Sequence, residues 1–180
     1  MQYQSDQAVE ILSRTPTTLK ALLNGLPDAW TLSGEGPGTW SAHDVVGHLL
    51  HGEQTDWMPR ARIILESGEA RPFDPFDRFA QVKDSQGKTL DQLLDAFAHL
   101  RGENLVALQA LNLQPEDLQR RGKHPRLGVV TLSELLAAWA VHDLTHVHQL
   151  SRVMAHQYRD AVGPWSAYLG VLQCDGHSAP

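Results

Sequence analysis

Thr131-Leu132-Ser133-Glu134-Leu135-Leu136-Ala137-Ala138-Trp139-Ala140-Val141-His142-Asp143-Leu144-Thr145-His146-Val147-His148-Gln149-Leu150 is the stretch from which the fold is read. Thr131 followed three residues later by Glu134 is a capping box, in which each side chain satisfies the other residue's backbone N–H. Leu135, Leu136, Trp139, His142, His146, Leu150 and Val153 then recur at helical spacing, which predicts one amphipathic helix from Thr131 to about Gln157. His142 and His146 lie four residues apart, so their rings stack on one face of that helix. The face is apolar, running from Trp139 to Leu150. Two imidazoles pointing into a core need partners for their ring nitrogens, and a metal ion supplies one per ring. An isolated pair of this kind is more often a core histidine beside a cavity, so a third ligand decides the matter.

Working backward, three further segments carry the same periodicity. One runs from about Ser5 to Leu26, with Ser5 as its cap and a kink or restart at Pro16. A second begins near Ser41, where Ser41 and Asp44 form a capping box, and continues to Leu65 with a kink expected at Pro59. A third spans about Thr89 to Leu111, capped by Thr89 or Asp91. Gly34, Gly36, Pro37 and Gly38 make Thr31–Thr39 a loop. Residues 68–88 read as a crossover whose Phe73, Phe76 and Phe79 pack back on the bundle, and Asn112–Val130 as a second long loop. A short helix is expected from Trp165 to Leu172. No segment alternates at period two for long, so strands are not required. The fold class is all-α: a single domain over residues 1–180, a four-helix bundle with long crossover connections and a short C-terminal helix.

His48 sits in the apolar part of the second segment. A third imidazole from a facing helix would leave one coordination position open, the arrangement of a catalytic site. His51 and His43 compete with it, and spacing alone leaves the choice open. A zincin protease needs glutamate where this chain has Asp143, and a di-iron bundle needs two Glu-x-x-His motifs that the chain lacks. Asp143 is expected either behind the ligands or on the helix surface, His148 near the surface or touching another element, and His124 in an ordinary loop. Trp40, Trp139 and Trp165 are expected in the core rather than in a pocket wall.

Fifteen Lys and Arg against twenty-one Asp and Glu give a net charge of −6, which argues against nucleic acid as a partner. The basic run from Arg120 to Arg126 has no interleaved aromatic residue and reads as a solvated loop. The chain has one cysteine, Cys174, so an internal disulfide framework is ruled out. No signal peptide or membrane span is expected, and the cytoplasm is the expected location.

Two runs give a family resemblance. Gly38-Thr39-Trp40-Ser41-Ala42-His43-Asp44-Val45-Val46-Gly47-His48-Leu49 resembles the first signature of the DinB-like superfamily, whose YfiT-like members are described as metal-dependent hydrolases. His142-Asp143-Leu144-Thr145-His146-Val147-His148-Gln149-Leu150 resembles the second. His124-Pro125-x-x-Gly128 and Val162-Gly163-Pro164-Trp165 resemble motifs of a DinB-like subgroup. The resemblance implies a bundle of distinctive crossover topology, homodimers, and a metal site on His48, His142 and His146. It implies one divalent ion, zinc or nickel first and manganese or iron as alternatives. It also implies a small-molecule substrate. The leading expectation is transfer of a low-molecular-weight thiol to an electrophile. Hydrolysis by a metal-activated water is the first alternative, with Glu53 and Asp143 as unpersuasive candidates for its base. A non-catalytic metal- or ligand-binding stress protein is the second.

Overall fold

The computed structural model describes residues 5–77 and 79–174. Its long helices are α1 (Ser5–Leu23), α3 (Ala42–Thr55), α4 (Trp57–Ser67), α6 (Leu90–Ala110) and α8 (Leu132–His156), with short helices α2 (Asp28–Thr31), α5 (Ala80–Ser85) and α7 (Pro115–Leu118) between them. The expected capping boxes are present. Asp44 N–H donates to Ser41 Oγ at 3.2 Å and Ser41 N–H to Asp44 Oδ2 at 2.9 Å. Thr89 pairs with Gln92, and Thr131 with Glu134, in the same way. The expected Ser5 cap concerns a side chain outside the described residues.

The two prolines behave differently from expectation. The helix begun at Ser41 does break, but at Asp56, three residues before Pro59. Pro59 falls in the first turn of α4, where its missing N–H would have had no helical partner anyway. Pro16 lies inside an α1 that runs on without restarting. A proline there leaves the carbonyl four residues back, that of Leu12, without its helical donor. Arg101 Nη1 of α6 donates to that oxygen at 2.8 Å, so the lost bond is replaced from another helix.

α6 and α8 each pack against both α1 and α3, so the helices run α1–α6–α3–α8 around the bundle and α1 faces α3 across it. Two apolar clusters fill the interior. One is built around Leu12, Trp57, Leu105, Leu136 and Trp139. The other is built around Leu19, Val46, Leu49, Leu93, Phe97 and Leu150. α1 and α8 pass from the first cluster to the second, whereas α3 and α6 pass from the second to the first. Neighbours α3 and α6 are therefore parallel, and a chain can join parallel neighbours only by a long return. Residues 68–89 make that return. Phe73 N–H donates to the Lys123 carbonyl at 2.9 Å, and His43 Nε2–H donates to the Lys88 carbonyl at 3.0 Å. α5 packs on α3, and Gly47 is what lets it approach: a Cβ there would stand 2.3 Å from Ser85 Oγ. Phe73 is buried as expected and Phe76 half-buried, but Phe79 is 69% exposed.

Two expectations fail in the connections. The loop 112–130 contains an antiparallel hairpin, β1 (Arg121–His124) with β2 (Gly128–Thr131), registered Arg121 to Thr131 and His124 to Gly128. Four-residue strands are too short for a period-two pattern to stand out, and β1 is basic rather than apolar, so the basic run is a strand and turn, not a solvated loop. Gly122 of β1 is required by packing, since a Cβ would lie 2.6 Å from Ile64 Cγ1 and 2.9 Å from Phe73 Cε1. The expected helix at 165–172 is two 3-10 segments, Gly163–Tyr168 and Gly170–Leu172. Trp165 is 70% exposed, so little burial favours a longer α-helix there.

Candidate metal centre

α3 and α8 cross where the two apolar clusters meet, and the side chains between the clusters are polar. His48 comes from α3, and His142 and His146 from adjacent turns of α8. His142 Nε2 stands 3.1 Å from His48 Nε2 and 3.1 Å from His146 Nε2. One ring nitrogen from each of the three lies within 4.8 Å of the others. His51 and His43 are not in the cluster. His51 is buried on the side of α3 toward the crossover, with Nδ1 3.3 Å from Asp84 Oδ2 and its ring against Phe76. His148 is exposed, as expected.

The donor set fits a divalent ion. Two nitrogens at about 2.0–2.1 Å from one tetrahedral ion stand roughly 3.3 Å apart, close to the observed separation. His146 Nδ1–H donates to Gln149 Oε1 at 2.7 Å, which fixes the tautomer and leaves the Nε2 lone pair facing the other two rings. Burial pushes the His142 pKa well below the usual value, and the charges of His146 and His48 add to this. Burial also lowers that of His146, against the opposing pull of Gln149 and Asp143. Both rings are thereby held neutral, the form that ligates. Without an ion, three converging imidazole nitrogens share too few hydrogens to satisfy one another.

Aromatic rings wall the centre. Trp40 lies 4.8 Å from the His48 ring centroid and 6.4 Å from that of His146. Phe76 meets His48 edge-on at 5.5 Å, and Trp57 meets His142 at 5.1 Å. Trp40 therefore lines a pocket, while Trp139 is core and Trp165 is neither.

Behind the histidines lies a buried charge network. Arg101 donates Nη1 to Asp143 Oδ2 at 2.6 Å and Nη2 to Asp143 Oδ1 at 2.9 Å, a bidentate pair. The same Nη2 reaches Glu53 Oε1 at 2.8 Å. Trp139 Nε1–H donates to Glu53 Oε1 at 2.8 Å, and Asn104 Nδ2 to Glu53 Oε2 at 2.9 Å. Burial works against the Arg101 charge, but Asp143 and then Glu53 outweigh it and raise its pKa. Asp143, next to His142 in sequence, is fully buried rather than on the helix surface. Sequence reading passed over Arg101. Its signal was a charged residue four positions from both Phe97 and Leu105 in an otherwise apolar stripe.

A cavity of about 800 Å³ opens beside the three histidines. Besides Trp40 and Phe76 it is lined by Asp56 and Arg60 of α4 and by His124 and Arg126 of the hairpin. His124 is thus part of the cavity wall, not an ordinary loop residue. Burial pushes the Asp56 carboxyl up to about 6, in spite of Arg60 and His51. Neither Asp56 nor Arg60 was a sequence candidate, because an i,i+4 acid–base pair ordinarily marks a solvated helix face.

A four-helix bundle with parallel neighbours and three convergent histidines defines the class of protein. The sequence profile of the DinB superfamily matches residues 11–150, and the chain belongs to that superfamily. It is similar to a Bacillus subtilis (strain 168) protein named "Putative metal-dependent hydrolase YfiT", with 26% identity over 157 residues, 84% of this chain and 86% of that protein. The solved structure of YfiT from Bacillus subtilis, described as a probable metal-dependent hydrolase with an unusual four-helix bundle topology, superposes with a TM-score of 0.72 at 22% identity over 88% of each chain. Among the described residues no helix is long and apolar enough to cross a membrane.

Proposed function

We propose that this chain is a metal-dependent hydrolase whose divalent ion is held by His48, His142 and His146 and whose substrate occupies the adjoining cavity. The observation that carries the reading is the convergence of three imidazoles, His48 and His146 buried and His142 half-buried, two of them held neutral, at the edge of a cavity of about 800 Å³. Three borderline nitrogen donors suit zinc or nickel. When bound, such an ion supplies Lewis acidity, which lowers the pKa of water and polarises a carbonyl oxygen. Gln149 holds the His146 ring in its ligating tautomer. Trp40, Phe76 and Trp57 fix the ring planes and limit access of bulk water. Asp56 is the carboxylate of the cavity wall. With a pKa of about 6 it is ionised at neutral pH and basic enough to take a proton. Its Oδ1 lies against Arg60 Nε.

A second reading, transfer of a small-molecule thiol to an electrophile, is favoured by the fate of the other two carboxylates. Glu53 and Asp143 are both occupied by Arg101, and a metal-held thiolate needs no carboxylate base. The thiol would come from outside, because Cys174 lies near another surface, beside Arg152 and His156.

Metal analysis of the purified chain beside His142→Ala tests the centre; undiminished metal in the variant refutes it. Zinc- or nickel-loaded protein is then assayed on a panel of esters and amides, and in parallel with low-molecular-weight thiols and monochlorobimane. Turnover of the panel, with an acid limb near pH 6 that Asp56→Asn removes, supports hydrolysis. Metal-dependent bimane conjugation without ester or amide turnover selects thiol transfer.

A further inference from the structure

The cavity has a cationic wall that neither the metal centre nor Asp56 explains. Arg60 is 7% exposed, yet it lines the cavity. Its Nε faces Asp56 Oδ1, and its guanidinium lies 5.3 Å over the Phe73 ring. Its two Nη groups have no hydrogen-bond partner among the described residues. A guanidinium so deeply placed is costly unless its remaining donors find acceptors. Burial disfavours its charge, and only Asp56, with Asp74 further off, offsets this.

His124 stands on the same wall with its proton already assigned. Its Nδ1 accepts the backbone N–H of Arg126 and that of Leu127, each at 3.1 Å. A nitrogen that accepts carries no hydrogen, so the neutral ring holds its proton on Nε2. Burial, Arg60 and Arg126 all keep the ring neutral. The turn thus presents a fixed N–H donor. Arg126, exposed on that turn, adds a second full positive charge to the lining. Against two arginines the lining carries one carboxylate, Asp56, already turned to Arg60. Trp40, Phe76 and Leu127 supply apolar surface to the same lining.

We infer that the cavity takes its substrate as an anion: a carboxylate or similar oxyanion binds Arg60, the His124 Nε2–H and Arg126, while an apolar body packs on Trp40 and Phe76. This rests on reading the cavity as the substrate site. The hairpin is then a specificity element, since it delivers two of the three donors.

The test is a tryptophan-fluorescence titration of the zinc-loaded chain with phenylacetate, benzylphosphonate and the neutral 2-phenylethanol. At least one anion should bind about tenfold or more tighter than the alcohol, the scale of one charge-assisted hydrogen bond. Arg60→Gln and Arg126→Gln should each reduce that preference and leave the affinity for the alcohol in place. Arg126 is exposed, so its variant reads the subsite without a folding question, and Arg60→Lys should restore part of the preference. Anions no tighter than the alcohol, or a preference that survives both glutamine variants, overturn the inference. Chelator-treated protein separates it from the metal reading. A preference that persists without zinc and falls in Arg60→Gln supports the arginine wall even if the metal assignment fails. One that vanishes with zinc and ignores Arg60 overturns the wall and leaves the metal centre standing.

Discussion

Replacing Arg101 by methionine would leave two carboxylates, Glu53 and Asp143, facing each other's layer with no cation between them. Both side chains are 0% exposed, and Arg101 itself is 1% exposed. The substitution also removes the donor to the Leu12 carbonyl that Pro16 leaves unsatisfied. Breaking a buried ion pair by deleting one partner costs about 3–5 kcal/mol, most of it the penalty of the stranded charge. At roughly 2–4 °C per kcal/mol for a chain of this size, the melting temperature of Arg101→Met should fall by about 6–20 °C. The assay is urea and thermal unfolding followed by circular dichroism at neutral pH. The comparison that isolates the cause is the same substitution in a Glu53→Gln, Asp143→Asn background. There no charge is stranded, so Arg101→Met should cost only a fraction of its loss in the wild-type background. A loss under about 1 kcal/mol in the wild-type chain, or an equal loss in both backgrounds, refutes the reasoning.

Other expectations follow from the same geometry. The folded-state pKa values of His142 and His146 lie below the unfolded value of 6.5, so below that pH the unfolded chain takes up protons that the fold refuses. Their contribution is complete above pH 6.5 and is lost as pH falls toward the folded values. The metal-free chain should lose stability on acidification from pH 7.5, and His142→Gln should flatten the slope measured by denaturant titration. Asp56 acts in the opposite sense between about 4 and about 6, because the fold raises its pKa, and Asp56→Asn should steepen the acid loss there. Gly47→Ala should destabilise by about 1–3 kcal/mol through its 2.3 Å approach to Ser85 Oγ, and adding Ser85→Ala should recover most of that in thermal melts. Thr131→Ala removes the α8 capping box and should cost about 0.5–2 kcal/mol by urea unfolding.

The helices were legible because each begins at a side chain that can cap it and carries a stripe at the right period. Thr131, Thr89 and Ser41 mark their starts directly. The order of the helices around the bundle was not legible, since periodicity says which face is buried but not against what. The hairpin escaped because β1 is Arg121-Gly122-Lys123-His124, with no apolar alternation. Its place is decided by Gly122 against Phe73 and by the Phe73 to Lys123 hydrogen bond, both contacts distant in sequence. For the centre, the His142–His146 pair was visible as one turn of a helix. His48 could be preferred to His51 only by family resemblance. In the structure the difference is one helical turn: His48 faces α8, and His51 faces the crossover. The cationic wall was hidden for the same reason as the hairpin, as its members come from α4 and from a turn whose position no local pattern sets.

The parallel pairing of α3 and α6 has a temporal consequence. His48 and His142 are 94 positions apart, and the second ligand helix is the last long one among the described residues. During synthesis the first imidazole waits without its companions while the return segment and α6 are made. The proposed centre therefore cannot collect its ion from a partly emerged chain; it is assembled only when α8 docks between α1 and α3. An ion that binds only then adds its affinity to the last docking step. Metal bound at the proposed centre would therefore stabilise the docked α8 by mass action.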